Sequence, residues 1–441
     1  MGLVAVASHA ESGGERAEGI LEKARERLES SGLEVKTGKK VIWDSADAIQ
    51  VAEQLAQEGI DLLVIIHVTW VLDTIQYLLI QILKIPVVLW GIPFPETFSI
   101  ACVQHFASIL WERKFPYKYV YGLPEDEEVI SSINNFANVA KVSLDLRKAK
   151  IALIGPRQTW RVAGPLDMTG EEWDLTDCFG VKIVHVDMEE LIKLAEAKSD
   201  KEADNVLQSM RQNNRIGKIE VGEERLIYAS KIYLGTKELF DRYSLTAAAA
   251  ECYPEYSGLV NLPSSWLADE ELILDTEGDL GHTTTRLILQ RLGKGGPVAL
   301  AEAGKLDFKE NCLWLTHEGS SAHSLAETTF KVSITPGGQK GTVVGFPFKP
   351  MPQVTIASLC GKKDTYRMLI AQGKTEPISD KEWVDAGKKL LIKLSLNCDI
   401  KGAFESMLCQ GIDHHLLIKE GDLTSQLTDL CDLLGVEKAY L

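Results

Sequence analysis

Short apolar runs alternate with stretches of helical periodicity through the first 155 residues, and that alternation limits the available folds more than any other feature of the chain. Residues 2–8, 60–66, 85–90 and 117–121 read as strands; residues 14–31, 46–58, 74–83, 100–113 and 125–146 read as helices between them. Strands separated by helices pair in parallel through right-handed crossovers, which predicts a doubly wound sheet. The pattern restarts at Lys150-Ile-Ala-Leu-Ile-Gly155. A strand over 181–186 and a helix over 189–199 follow. Residues 198–204 read as a solvated segment, and 225–246 as one long helix with a break near Gly235 left open. Strands are expected at 247–250, 272–274, 298–301 and 312–315, and a helix at 281–292. After about residue 320 Gly337, Gly338, Gly341, Gly345, Pro347, Pro350, Pro352 and Gly361 divide short β-rich runs, the texture of a barrel or sandwich. Helices are expected there at 382–393 and 423–434. The predicted fold is therefore α/β: two tandem doubly wound, Rossmann-like parallel-sheet domains (1–148 and 149–320), then a β-rich barrel or sandwich domain (321–441).

At 441 residues the chain exceeds what one core supports. With 45% hydrophobic and 25% charged residues it reads as a water-soluble globule. A formal net charge of −16 without a long basic run argues against sequence-independent nucleic-acid binding, which needs Lys and Arg facing phosphates. Eight cysteines fall singly, with no Cys-x-x-Cys, so neither a zinc ribbon nor a disulfide framework is expected. The apolar stretch 62–90 is interrupted by His67, Asp73, Gln76, Gln81 and Lys84 and resolves as strand, helix, strand. With no leader or membrane-spanning segment in view, a cytoplasmic location is expected.

Several phosphate and nucleophile motifs are absent. There is no P-loop and no Gly-x-Ser-x-Gly elbow, and Gly155-Pro156-Arg157 lacks the glycine pattern of a dinucleotide site. What stands out is a set of metal-ligating residue types at the ends of apolar runs. These are Glu277 in Thr-Glu-Gly-Asp, Glu302 in Val-Ala-Leu-Ala-Glu, His317 in Leu-Thr-His, and His414–His415 in Gly-Ile-Asp-His-His. Strand ends are where α/β folds place ligands. Carboxylates with one imidazole suit a hard or borderline divalent ion such as Mn²⁺, Mg²⁺ or Co²⁺. Each residue also has a plain reading: an acidic triplet (Asp275, Glu277, Asp279) as a solvated loop, His317 as a turn histidine, and one of His414 and His415 facing solvent. The residues alone favour neither histidine. Two carboxylates flanking a sugar can exchange base and acid roles while a divalent ion stabilises the developing enediolate.

The segments Thr276-Glu-Gly-Asp-Leu-Gly281, Pro297-Val-Ala-Leu-Ala-Glu302, Leu315-Thr-His317 and Asp413-His-His415, leading to Glu420-Gly-Asp-Leu423, resemble the L-fucose/L-arabinose isomerase family in order and spacing from about residue 245 onward. Thr276 stands where that family has Cys, and Glu302 where its fucose branch has Asp. The resemblance implies Glu277 and Glu302 as Mn²⁺ ligands and the catalytic pair, His415 as third ligand, and His317 as a ligand of the arabinose type. It implies that Trp70, in Val68-Thr-Trp70, packs on substrate from a neighbouring subunit; core packing accounts for Trp70 equally well. His414 is a candidate substrate contact. Trimeric or hexameric assembly is implied as well. The expected function is a metal-dependent aldose–ketose isomerase acting on an open-chain sugar, either fucose- or arabinose-like or a modified hexose such as a sulfosugar. The alternatives are a metal-dependent epimerase or lyase, and a non-catalytic sugar-binding or regulatory protein of the same fold.

Overall fold

The computed structural model describes residues 1–38, 40–155, 172–213, 215–318, 321–328, 332–361 and 363–441. Pro156 and Arg157 of the Gly-Pro-Arg turn lie outside them. The chain divides into two compact units, Met1–Leu144 and Asp145–Leu441.

In the first unit, strands β1 (Gly2–Val6), β2 (Lys36–Thr37), β3 (Leu63–His67), β4 (Val87–Gly91) and β5 (Tyr117–Tyr121) form one parallel sheet in the order β2-β1-β3-β4-β5. β1, β3 and β4 are buried at every position, as expected of strands covered by helices on both faces. The helices Ala17–Ser30, Ser45–Gln57, Asp73–Leu83 and Ser99–Glu112 connect them. Asp44 caps the second of these by accepting the Asp47 N–H.

The second unit opens with β6 (Lys150–Ile154), β7 (Lys182–Val186), β8 (Lys218–Ile219), β9 (Ala247–Ala250) and β10 (Ile273–Asp275). Of these, β10-β9-β6-β7 form a parallel sheet. The expected solvated segment at 198–204 is instead the start of a helix, Asp200–Gln212. Ser199 and Glu202 form a reciprocal capping box there that satisfies the first free N–H groups. The long helix Glu223–Tyr243 runs unbroken through Gly235. A Cβ at Gly235 would lie 3.0 Å from the Ala195 backbone nitrogen, so this glycine serves close approach to the helix Met188–Glu196.

The remaining strands are β11 (Ala299–Asp307), β12 (Cys312–His317), β13 (Ser333–Gly337), β14 (Gly341–Gly345), β15 (Met351–Cys360), β16 (Arg367–Glu376), β17 (Leu390–Leu396), β18 (His415–Glu420) and β19 (Glu437–Tyr440). Pairing runs antiparallel through β15-β18-β11-β12-β17-β16, and β16 returns to β15. That closes a six-stranded barrel, with β19 added in parallel to β16. β11 does not stop at Glu302 as expected; it continues past a bulge between Ala303 and Lys305 to Asp307. Both β11 and β12 find their hydrogen-bond partners in the barrel, with β18 and β17, not in the parallel sheet that precedes them. The expected helix at 382–393 also differs. A short helix, Asp380–Asp385, ends at Gly387 and Lys388, both with positive φ, and β17 begins at Leu390. Leu390, Ile392, Leu394 and Leu396 are buried at every second position, a strand period that the preceding charged residues obscured.

Candidate metal and sugar site

Four segments meet at one place. Glu277 follows β10 in a turn built by its neighbours: the Asp275 carboxylate accepts the backbone N–H groups of Glu277 (2.9 Å) and Asp279 (3.1 Å). Gly278 sits at φ +75°, and a Cβ there would come within 2.7 Å of Glu251 Oε2. Asp279 then caps the helix Leu280–Leu292, its Oδ1 accepting the His282 N–H at 2.8 Å. The other three side chains come from adjacent barrel strands. Glu302 on β11 pairs in register with His415 at the start of β18, and with Thr316, which precedes His317 at the end of β12.

One ligand atom from each of Glu277, Glu302, His317 and His415 lies within 4.8 Å of the other three. His317 Nε2 is 3.4 Å from Glu277 Oε1, and His415 Nε2 is 3.5 Å from both Glu277 Oε2 and Glu302 Oε1. These separations are long for charge-assisted hydrogen bonds. Two ligands each about 2.1 Å from one ion, at a tetrahedral angle, stand roughly 3.4 Å apart. His317 Nδ1 has no hydrogen-bond partner among the described residues. The donor set, two carboxylates and two imidazoles, fits a divalent ion. His415 is fully buried, while the side chains of Glu277 and Glu302 are 27% and 36% exposed, so a small molecule can reach the carboxylates.

Burial by itself would raise the Glu277 pKa, but the His317 and His415 imidazoles hold it well below the ordinary carboxylate range. Glu302 is lowered chiefly by His415. Burial opposes charge on His415; Asp279, Glu277 and Glu302 overcome it and raise the imidazole well above its ordinary value. Asp279 Oδ2 lies 2.8 Å from His415 Nδ1, turning Nε2 toward the carboxylates. Such an outer carboxylate orients a metal-binding histidine and sets its tautomer.

His414 lies outside the four-residue cluster. Its ring is 42% exposed, with Nε2 3.5 Å from Glu302 Oε1 and Nδ1 2.6 Å from Asp413 Oδ1, so it borders the site on the open side. Trp70 belongs to the first unit, where it packs against that unit's core and stacks on His105 at 5.5 Å. Asp279 and His282 were not singled out from the sequence. Asp279 enters there as part of an acidic triplet and of the Thr276–Gly281 segment, and His282 only as a residue of the predicted helix.

No family model matches the chain. Its relatives include the sulfoquinovose isomerase of Priestia aryabhattai, 22% identical over 440 residues that cover 97% of this chain and 96% of the relative. A second, from Alkalicoccus urumqiensis, is 20% identical over 366 residues, 80% of each chain. A third, from Clostridium sp. strain MSTE9, is 25% identical over 329 residues, 73% of this chain and 71% of the relative. All three are named sulfoquinovose isomerase, and the similarity spans both units. The chain is accordingly an aldose–ketose isomerase, an intramolecular oxidoreductase.

Proposed function

We propose that this isomerase is metal-dependent, holding Mn²⁺ or a similar divalent ion through Glu277, Glu302, His317 and His415, and that it acts on an open-chain sulfosugar such as sulfoquinovose. The observation that carries the reading is the convergence of four ligand atoms, from a turn and three barrel strands, on relatives' ground: the matched relatives are named for that sugar. Fucose- and arabinose-like sugars are the competing substrates, in keeping with the motif resemblance.

Converting an aldose to a ketose moves one hydrogen from C2 to C1 and another from O2 to O1. A divalent ion supplies Lewis-acid polarisation of the sugar oxygens. Glu277, partly exposed within the cluster, is placed to take the C2 proton, which leaves an enediol. Glu277 then delivers that proton to C1, while Glu302, partly exposed and beside His414, takes the O2 hydroxyl proton and passes it to O1. Either carboxylate regains its starting state when the ketose leaves. His414, held by Asp413, contacts a sugar hydroxyl at the rim in this scheme. The protein works in the cytoplasm as a homo-oligomer, a trimer or hexamer, with Trp70 contributed to a neighbouring copy's sugar. Among the described residues no helix is long and apolar enough to cross a membrane.

The test uses chelator-stripped protein, with Mn²⁺, Mg²⁺, Co²⁺ or Zn²⁺ restored and sulfoquinovose, L-fucose and arabinose offered in D₂O. Metal-dependent ketose formation with deuterium at C1 or C2, followed by NMR, is the expected result. Full turnover in the stripped enzyme overturns the metal requirement. Exchange at C2 without ketose favours an epimerase.

A further inference from the structure

Behind His415 the polar contacts do not end at Asp279. Asp279 Oδ2 also lies 2.6 Å from His282 Nδ1, so one carboxylate oxygen faces two imidazoles. His282 Nε2 is 2.9 Å from Ser358 Oγ, and Ser358 Oγ is 3.5 Å from Cys360 Sγ, which in turn accepts the Asp413 N–H at 3.0 Å. His282, Ser358, Asp279 and His415 are all buried. The contacts form an unbroken line from β15, through the first turn of the helix Leu280–Leu292, to the histidine on β18.

The chemistry of this line has a direction. Asp279 Oδ1 accepts the His282 backbone N–H at 2.8 Å, which leaves Oδ2 to face both rings. Both Nδ1 atoms lie against this oxygen, His415 in a hydrogen bond and His282 in a close charge contact, so each ring turns its Nε2 away from Asp279. His415 is thereby left with Nε2 turned toward Glu277 and Glu302, while His282 is left with Nε2 toward Ser358. The His282 ring is buried edge-on against His415, 5.3 Å between centroids, with Ser358 Oγ at one nitrogen and Asp279 Oδ2 at the other.

We propose that His282 is a positioning residue for the metal site: pinned by Ser358, it holds the Asp279 carboxylate in the one orientation that aims His415 Nε2 at the ligand cluster. The proposal rests on the reading of Glu277, Glu302, His317 and His415 as a metal shell. It adds two residues, His282 and Ser358, that lie outside the four-residue ligand cluster.

An amide pair separates this role from general support of the fold. His282→Asn keeps an N–H close to the position of Nδ1 and can still donate to Asp279. His282→Gln carries its amide at the reach of Nε2 and cannot donate there without displacing Ser358. Mn²⁺ affinity is measured calorimetrically on the stripped full-length protein. The downfield proton resonance of the His415 Nδ1–H is followed in the metal-free state. The Asn variant is expected to keep that resonance and to bind Mn²⁺ nearly as tightly as the parent. The Gln variant is expected to lose the resonance and to bind roughly 10–100-fold more weakly, the usual effect of losing an outer-shell partner. Ser358→Ala, a smaller change, shifts both readouts in the same direction as Gln and carries the test should the Gln variant not fold. Equal affinity in the Asn and Gln variants overturns the proposal, as does parental affinity with an intact resonance in Ser358→Ala. Failure of the parent protein to bind any divalent ion strikes instead at the metal shell itself.

Discussion

Glu277 is where chemistry and folding separate best: its side chain is partly exposed, and its turn is held by Asp275 and Gly278 through backbone contacts. Glu277→Gln is expected to lower turnover by roughly 10²–10⁴-fold, the range for loss of a general base, while circular dichroism still shows the parent's fold. Normal turnover in that variant would remove Glu277 from the mechanism. Of the two adjacent histidines, His415→Ala should weaken Mn²⁺ binding far more than His414→Ala, because only His415 lies in the four-residue cluster. The reverse order, read by metal titration, gives the ligand role to His414. In the metal-free protein the ionised groups oppose one another across pH. Glu277, Asp279 and Glu302 have lowered folded pKa values, so their stabilisation is present above about pH 4 and is lost as pH falls below it. His415 has a raised folded pKa, so its contribution is full below about pH 6.5 and disappears as pH rises through the folded value. Metal affinity should rise with pH, since an ion displaces the proton at Nε2. The ligand residue types and their places after apolar runs were legible in the sequence. The His282–Ser358 line was not, because it joins residues 76 positions apart through a pairing no local pattern encodes.

Among the elements, those with strong local signals were legible and those decided by partners were not. The parallel strands β1, β3 and β4 are continuous apolar runs and were found within a few residues. The helix Asp200–Gln212 was missed although Ser199-Asp-Lys-Glu202 spells a capping box, because its charged first turn looked like a solvated stretch. Ser199→Ala should cost about 1 kcal/mol of stability, measured by urea unfolding. An unchanged midpoint would mean the cap is dispensable. The turn between β10 and the following helix is more demanding. Gly278→Ala places a Cβ at positive φ and against Glu251, and is expected to cost roughly 1–3 kcal/mol while weakening metal binding, since Glu277 must move with it. Retained stability and affinity together would show that the turn can relax. The helix expected at 382–393 runs into the first half of β17 because the charged residues before it hide the strand period; only the place of β17 between β12 and β16 makes the alternation decisive.

At the scale of the molecule, the unit Asp145–Leu441 brings a parallel sheet and a closed barrel to one site, and the separate strand pairing of β11 and β12 was the part least readable from the chain. Sequence texture showed that the last third is β-rich; which strands close the ring depends on contacts between segments as far apart as Glu302 and His415. Metal added at 100 times its dissociation constant should stabilise the folded state by about 2.7 kcal/mol. Hydrogen exchange should record this in the barrel and the turn at Glu277, while the sheet from Gly2 to Tyr121 exchanges as before; uniform protection across both units would argue against the site being confined to the second. Light scattering should return the mass of a trimer or hexamer, and a monomer would leave Trp70 without a neighbour to serve. One feature of the ring reaches beyond stability. β18, which carries His415, is bonded to β11 over His415–Ile418 and to β15 over Leu417–Glu420, so each of its residues is paired on at least one side. Its amides should remain among the slowest to exchange even after chelation, and reloading with metal should then follow the arrival of the ion in solution, with no slow refolding phase before it.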